Sequence, residues 1–170
     1  MTAPESFAPL PDTARLWIYA AADPLAAADE DAIRQTIKAF MDDWSSHGRA
    51  IRGAMHIQDQ RFILIAATLD DGDVSGCGID ASVHAIEDIA AKRDIRWVPA
   101  LHVLYRDADG AVQHVSRSAF RTLANEGTVT AATPVFDPSI TTVEALRAGQ
   151  FEQPAGDAWH ARAFDLPQPA

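Results

Sequence analysis

Cysteine is nearly absent from this chain, since Cys77 is the only one among 170 residues. One thiol cannot form an internal disulfide, so nothing in the sequence indicates an oxidising compartment. A single cysteine also excludes zinc sites built from several thiolates, and the HExxH pattern of zinc proteases does not occur. We therefore expect neither a metal site nor a cofactor.

Long apolar runs and a basic leader are missing as well. No apolar stretch approaches the roughly 18 residues that a membrane-spanning helix needs. The N-terminal sequence MTAPESFAPLPD has neither the basic region nor the apolar core of a secretory signal. These absences predict a cytoplasmic protein that does not contact a membrane.

Basic residues are scarce: 14 Lys and Arg oppose 24 Asp and Glu, which gives a formal net charge of −10. Such an acidic surface repels phosphate backbones, and no basic cluster with interleaved aromatic residues offsets the repulsion. The patterns GxxxxGK[ST], GxGxxG after a strand, and GxSxG are also missing. We therefore expect no nucleic-acid partner and no phosphoryl transfer from a nucleotide.

What the chain does contain is an alternation of strand and helix patterns. The periodicity predicts strands near residues 15–21, 51–58, 61–69, 100–106 and 111–116, and helices near residues 29–46, 80–93 and 116–127. The order β-α-β-β-α-β is typical of a ferredoxin-like antiparallel sheet, here extended by one strand and one helix. The predicted class is therefore α+β, with a two-layer mixed sheet of another strand order as the alternative.

The domain organisation follows from composition. Residues 1–14 hold three prolines and predict a flexible tail, and residues 15–166 predict a single domain. The strand at 61–69 is apolar on both faces, so its second face must also be buried. Residues 128–166 carry many large apolar side chains, and we expect this C-terminal segment to cover that second face.

The glycine-flanked Cys77 stands where a strand gives way to a helix. The positive end of the helix dipole favours a thiolate there, and free backbone N–H groups can hold an anion. Asp80 is the predicted N-cap of this helix, and its charge opposes both effects. The alternative interpretation is a buried, unreactive thiol that fills a tight turn.

Histidines are the candidate bases for such a thiol. His47 follows the first predicted helix in WSSHG, where capping that helix is the alternative role. His160 lies in AWHARAF, where Trp159 can equally be a structural anchor. Counting from the DADG turn pairs His102 with Val115, which predicts that His102 and His114 lie on opposite faces and form no joint site.

The motifs WSSHG, VSGCGIDASVH, YRDADG and WHARAF together resemble a family of small, uncharacterised bacterial proteins often labelled "ABC transporter ATPase". The resemblance runs from about Leu16 to Phe164. The residues do not support the label, because the Walker phosphate loop, the signature motif and the length of such an ATPase are missing. The resemblance implies a grouping rather than an activity. It draws attention to one constellation of candidate site residues: Trp44, His47, Cys77, Asp80, Trp159, His160 and Arg162.

These patterns predict a non-catalytic module that binds a small ligand or an anion, or that interacts with a protein, with its site at the Cys77 turn. The alternative is a thiol-dependent enzyme that uses Cys77 with His47 or His160. The partner is an unidentified small ligand or protein, and a homodimer is compatible with the aromatic residues near the C-terminus.

Overall fold

The computed structural model describes residues 3–46, 49–69 and 76–169, except the side chains of residues 45, 46, 49 and 76–80. The fold is α+β with antiparallel sheets. Its strands are β1 (Arg15–Ala20), β2 (Ser45–Ser46), β3 (Arg49–Ala50), β4 (Arg52–Gln58), β5 (Phe62–Thr68), β6 (Val103–Arg106), β7 (Val112–Val115), β8 (Pro134–Phe136) and β9 (Glu152–Pro154). Its helices are α1 (Ala27–Asp42), α2 (Gly76–Lys92), α3 (Arg117–Asn125), α4 (Val143–Arg147) and α5 (His160–Ala163), and a 3₁₀ turn precedes β1 at Glu5–Phe7.

Two sheets form the centre of the fold. The first has the strand order β1-β5-β4 and the second the order β7-β6-β8-β9, while β2 and β3 form a short ribbon. This arrangement corrects the prediction of one extended sheet, because β6 pairs with β7 and β8 in the second sheet and not with the edge of the first. Pairing between strands is decided by which apolar faces meet, and a strand pattern alone does not specify its neighbour.

Strand β5 is buried on both faces because it lies between two layers. All seven of its residues are buried. On one face, Ile63 and Ile65 pack with isoleucines of α1 and α2. On the other face, Phe62 and Leu64 pack against residues of the second sheet. The apolar pattern of residues 61–69 thus predicted a central strand correctly.

The segment after α3 covers the second face of the first sheet. Phe136 of β8, Leu146 of α4 and Phe151 join Phe62 in one buried cluster. Phe164 lies further along and packs instead with α3 on the outer face of the second sheet. The layers are therefore α1 and α2, the first sheet, the second sheet, and then α3 with the C-terminal residues.

The residues before β1 differ from the flexible tail that their prolines predict. Phe7 is fully buried and Leu10 is 6% exposed, and both belong to the cluster between the sheets. The guanidinium of Arg147 donates hydrogen bonds to the carbonyl oxygens of Phe7 and Leu10 at 3.1 and 2.9 Å. Apolar burial and these hydrogen bonds hold residues 3–14 against the domain.

Two helix boundaries also differ from prediction. Helix α1 ends at Asp42, and Ser45–Ser46 pair with Arg49–Ala50 instead of continuing the helix to residue 46. Helix α2 begins at Gly76, so Asp80 lies within the helix and is not its N-cap. An N-cap contributes only about 1 kcal/mol, which does not prevent a helix from starting a turn earlier. No helix of the described residues has the length and apolar character needed to cross a membrane.

Candidate functional site

The C-terminal candidates Trp159 and His160 form a stacked pair. Their ring centroids are 3.9 Å apart with an interplanar angle of 25°, and the guanidinium of Arg117 lies 5.3 Å from the Trp159 ring. Trp159 is half-buried and Arg162 is exposed. The pair packs with α3 on the outer face of the second sheet, in a structural arrangement typical of an anchored C-terminus.

His160 is sealed inside this cluster. Its side chain is 0% exposed, and neither ring nitrogen has a hydrogen-bond partner. Burial lowers the pKa of His160 to about 4, against the opposing influence of Asp137 and with a smaller contribution from Arg117. The imidazole is therefore neutral at pH 7, and its environment does not favour a role as the base of a thiol.

Trp44 lies in a different cluster from Trp159. Its ring meets Trp17 edge-on at 5.9 Å and Phe40 at 5.0 Å between centroids. A Cβ atom placed on Gly53 would lie 3.2 Å from the Trp44 ring, so the glycine allows the indole to lie against β4. The structure thus gives Trp44 a packing role beside the first sheet.

The remaining candidates are His47, Cys77 and Asp80, which lie wholly or partly outside the described residues. His47 lies outside the described residues. Cys77 and Asp80 lie in the first part of α2, and their side chains also lie outside the described part. The convergence of Cys77 with His47 and His160 stays a prediction.

The structure brings together two histidines that the sequence analysis separated. Asp107 N–H donates to the Ala111 carbonyl at 2.9 Å, which closes a three-residue loop containing Gly110 at φ +83°. The prediction assumed a two-residue loop and was wrong by one residue. His114 therefore pairs with Leu104, so the side chains of His102 and His114 lie on the same face.

The two imidazoles form a directed hydrogen-bond chain. Nδ1 of His102 lies 3.0 Å from Nδ1 of His114, and Nε2 of His114 lies 3.2 Å from the carbonyl oxygen of Ala22. A carbonyl only accepts, so Nε2 of His114 carries the proton and, in the neutral ring, Nδ1 accepts. Nδ1–H of His102 must then donate to His114, which leaves Nε2 of His102 as an acceptor that has no partner among the described residues.

The neutral state of His114 has a physical cause. Burial lowers the pKa of His114, and the positive charge of Arg61 lowers it further, while the hydrogen bond to the Ala22 carbonyl opposes them. Arg61 is itself 6% exposed and joins the two sheets, since Nε donates to the Ala21 carbonyl at 2.9 Å and Nη1 to the Val112 carbonyl at 3.3 Å. The imidazole chain is thus built into the seam between the sheets.

His102 opens onto a concave space of about 300 Å³ beside β1, which we call the edge cleft. The cleft is lined by Ile18, Tyr19, Ala20, Trp97, Val98, Pro99, Ala100, Leu101, His102, Leu104 and Pro138. Most of these side chains are apolar, and His102 contributes the polar acceptor. A mainly apolar cavity with a few polar groups is the usual form of a small-molecule site.

Leu101 is unusual in two respects. Its backbone has φ +68°, a conformation that costs a residue other than glycine about 1–2 kcal/mol. Its side chain is 72% exposed, which makes it the exposed large hydrophobic residue of the described part of the chain. Strained backbone of this kind concentrates at binding and active sites.

Two aromatic residues that line the edge cleft, Tyr19 and Trp97, also pack against the cluster between the first sheet and its helices. The rings of Tyr19 and Trp97 are 5.6 Å apart between centroids. Burial, with a smaller contribution from Glu87, raises the pKa of Tyr19 to about 12. The phenol therefore stays protonated at neutral pH and acts as a wall or a hydrogen-bond donor, not as a base.

The edge cleft was not found from the sequence. Its residues come from β1, from the connection between α2 and β6, from Leu104 of β6 and from residue 138, and none belongs to the predicted constellation. Within the described ranges, no group of three or more His, Cys, Asp or Glu residues could hold a metal ion. Comparison with family models, curated proteins and solved structures found no match. The resemblance to the small bacterial family therefore stays a prediction.

Proposed function

We propose that this is a cytoplasmic protein that binds a small, largely apolar molecule in the edge cleft without transforming it. The observation that carries the proposal is the contact of His102 with His114 at the wall of an apolar cavity, from which we infer that Nε2 of His102 is the acceptor offered to a ligand. A ligand that fills the cavity buries apolar surface, and a hydrogen-bond donor on it satisfies His102. The ligand class is therefore an apolar molecule with one N–H or O–H group.

The lining residues favour binding over catalysis. The described part of the cleft wall contains no carboxylate, thiol, lysine or hydroxyl other than the phenol of Tyr19. Because Tyr19 stays protonated, no pair of nucleophile and base is present among these residues. Selective binding needs only the shape of the edge cleft and the single hydrogen-bond acceptor of His102.

The proposal is tested by titrating ¹⁵N-labelled protein with p-cresol, an apolar ring that carries one O–H donor. We expect saturable amide shifts at Tyr19, Leu101 and Leu104. We expect 4-methylanisole, which lacks the donor, to bind about fivefold more weakly, because a net hydrogen bond contributes about 1 kcal/mol.

The matched variants are His102→Leu, which removes the acceptor, and His84→Ala, which changes an exposed histidine of α2 outside the cleft. His102→Leu should abolish the difference between p-cresol and 4-methylanisole, and His84→Ala should preserve it. Linear, unsaturable shifts spread over the whole surface would contradict the proposed function.

Leu101→Gly is expected to raise the free energy of unfolding by about 0.5 kcal/mol. Glycine removes the steric cost of the positive φ, and its greater freedom in the unfolded chain offsets part of that gain. The same change should weaken p-cresol binding, since Leu101 is part of the wall. Urea unfolding and the p-cresol titration measure the two effects.

Asp94→Gly is the matched control for this prediction. Asp94 is also at positive φ, 54°, but it is exposed and lies outside the edge cleft. The Asp94→Gly variant should show a similar increase in the free energy of unfolding. It should bind p-cresol as tightly as the unchanged protein does. If Leu101→Gly binds p-cresol equally well, Leu101 has no part in the site.

We further propose that the first sheet with α1 and α2 is a ferredoxin-like unit whose fourth strand is supplied in two pieces. In a complete unit, a fourth strand pairs with the outer edge of the first one. The two pieces are the isolated bridges that Trp97 makes to Ala21 and that Thr142 makes to Arg15. A crystal structure with a continuous strand along this edge would contradict the proposal.

A further inference from the structure

The outer edge of β1 is paired near its two ends. Near the end of the strand, Val98 N–H donates to the Ala20 carbonyl at 2.8 Å. Near its start, Leu16 N–H donates to the Thr141 carbonyl at 2.9 Å. The segments that contain Trp97 and Thr142 both run antiparallel to β1. Together they therefore occupy the two ends of one interrupted strand along this edge.

The interruption lies at Ile18. Backbone groups of alternate residues point to the same edge of a strand, so the N–H and C=O of Ile18 point outward like those of Leu16 and Ala20. Neither group has a partner among the described residues. Ile18 also lines the edge cleft, so these two unpaired groups lie at the floor of an apolar cavity. Unpaired backbone groups at the edge of a sheet are a ready template for pairing with another molecule.

We propose that the ligand of the edge cleft is an acylated amino-acid amide with an apolar side chain, which completes the interrupted strand. Its own C=O accepts from Ile18 N–H, and its own N–H donates to the Ile18 carbonyl, as in one antiparallel residue pair. Its side chain enters the apolar cavity, and a further N–H of the ligand can donate to Nε2 of His102. This inference rests on the proposed function of the cleft.

The length of the gap restricts the ligand to one residue. Leu16 and Ala20 are four residues apart, or about 13 Å in an extended strand. Since hydrogen-bonded pairs recur at every second residue, only the position opposite Ile18 is open between the two bridges. A longer peptide must leave the edge at both ends, so the site selects a small amide and not a strand of a protein partner.

The inference is tested by titration with N-acetyl-L-leucine N′-methylamide, followed by ¹⁵N NMR. We expect saturable binding, a downfield shift of the Ile18 amide proton and slower exchange of that proton with solvent. The matched probe is the depsi analogue, in which an ester oxygen replaces the leucine N–H. It should bind five- to tenfold more weakly, because the Ile18 carbonyl is then left without a donor.

The outcomes separate this inference from the proposed function. If the amide and its depsi analogue bind the cleft equally, the inference is wrong and the proposed function stands. The same holds if p-cresol binds and the amide does not. If neither p-cresol nor the amide binds, the proposed function fails. If N-acetyl-Ala-Leu-Ala-methylamide binds tenfold more tightly than the single-residue amide, the restriction to one residue is wrong.

Ile18→Pro provides a test from the side of the protein. Proline removes only an N–H that points to the open edge, so the pairing of β1 with β5 keeps its hydrogen bonds. Because the change also alters a side chain that lines the cleft, the comparison is between the two ligands: the variant should lose at least fivefold more affinity for the amide than for p-cresol, since only the amide uses the Ile18 N–H. Retention of full amide affinity in folded Ile18→Pro would overturn the pairing. The depsi comparison decides the question if the variant does not fold.

Discussion

Phe62→Ala is expected to lower the free energy of unfolding by about 4 kcal/mol. Phe62 is fully buried between the two sheets, where its ring lies 4.7 Å from that of Phe136 and 5.0 Å from that of Phe151 between centroids. The truncation removes apolar burial and leaves a cavity in the cluster between the two sheets. Urea unfolding followed by far-UV circular dichroism measures the loss.

Phe40→Ala is the matched control for this truncation. Phe40 is only half-buried on α1, where it packs against Trp44 outside the region between the sheets. Its truncation should cost roughly 2 kcal/mol, because less surface returns to water. A loss at Phe62 no larger than that at Phe40 would contradict the face-to-face packing of the sheets.

Acidification is expected to destabilise the protein through His160. Its folded-state pKa of about 4 lies below the ordinary value of 6.5, because burial disfavours the charged ring. As the pH falls below 6.5, the unfolded chain therefore binds the proton first and the folded state loses relative stability. The loss continues down to pH 4 and amounts to about 3 kcal/mol, since one pKa unit corresponds to about 1.4 kcal/mol.

His160→Leu should remove this dependence. Between pH 7.5 and pH 5, we expect the unchanged protein to lose about 2 kcal/mol more than the variant. Urea unfolding at the two pH values measures the difference. Phe164→Leu perturbs the same cluster and keeps the imidazole, so it should follow the unchanged protein. If the free energy of unfolding depends on pH equally in both variants, protonation of His160 is not linked to folding.

His160 shows that a sequence motif can indicate a real cluster of side chains and still mislead about the chemistry of its residues. WHARAF marks a real cluster, because Trp159 and His160 stack and pack with Phe164. The motif does not reveal that both imidazole nitrogens lack partners or that the ring is sealed from solvent. Burial comes from α3, a distant segment of the chain, and burial sets the protonation state.

The opposite case is the edge cleft, which the sequence analysis did not predict. His102 and His114 are visible in the sequence, but their contact depends on one additional residue in the DADG loop. Because the side-chain period of a strand is two, a one-residue change in register moves every side chain to the other face. A signal was available in Gly110, since glycine at the third loop position is typical of a three-residue hairpin.

Several elements were determined by the sequence alone, because their causes are local. The apolar residues of β5 required cover on both faces, and Ser116 caps α3 by accepting from the Ala119 N–H at 3.2 Å. Asp59 and Gln60 form the tight turn between β4 and β5 at φ 53° and 54°. Periodicity, capping and turn preferences act within a few residues, so they can be inferred from a single segment.

The tertiary structure alone decided which strands share a sheet and where the candidate site lies. The strand β6 joins β8 and not β1, and the edge of β1 is bordered by Val98 and Thr141, which are far apart in the chain. The gap between them exists only because two distant segments stop short of each other. Such a site depends on long-range packing of apolar faces, and no pattern within one segment encodes where another segment ends.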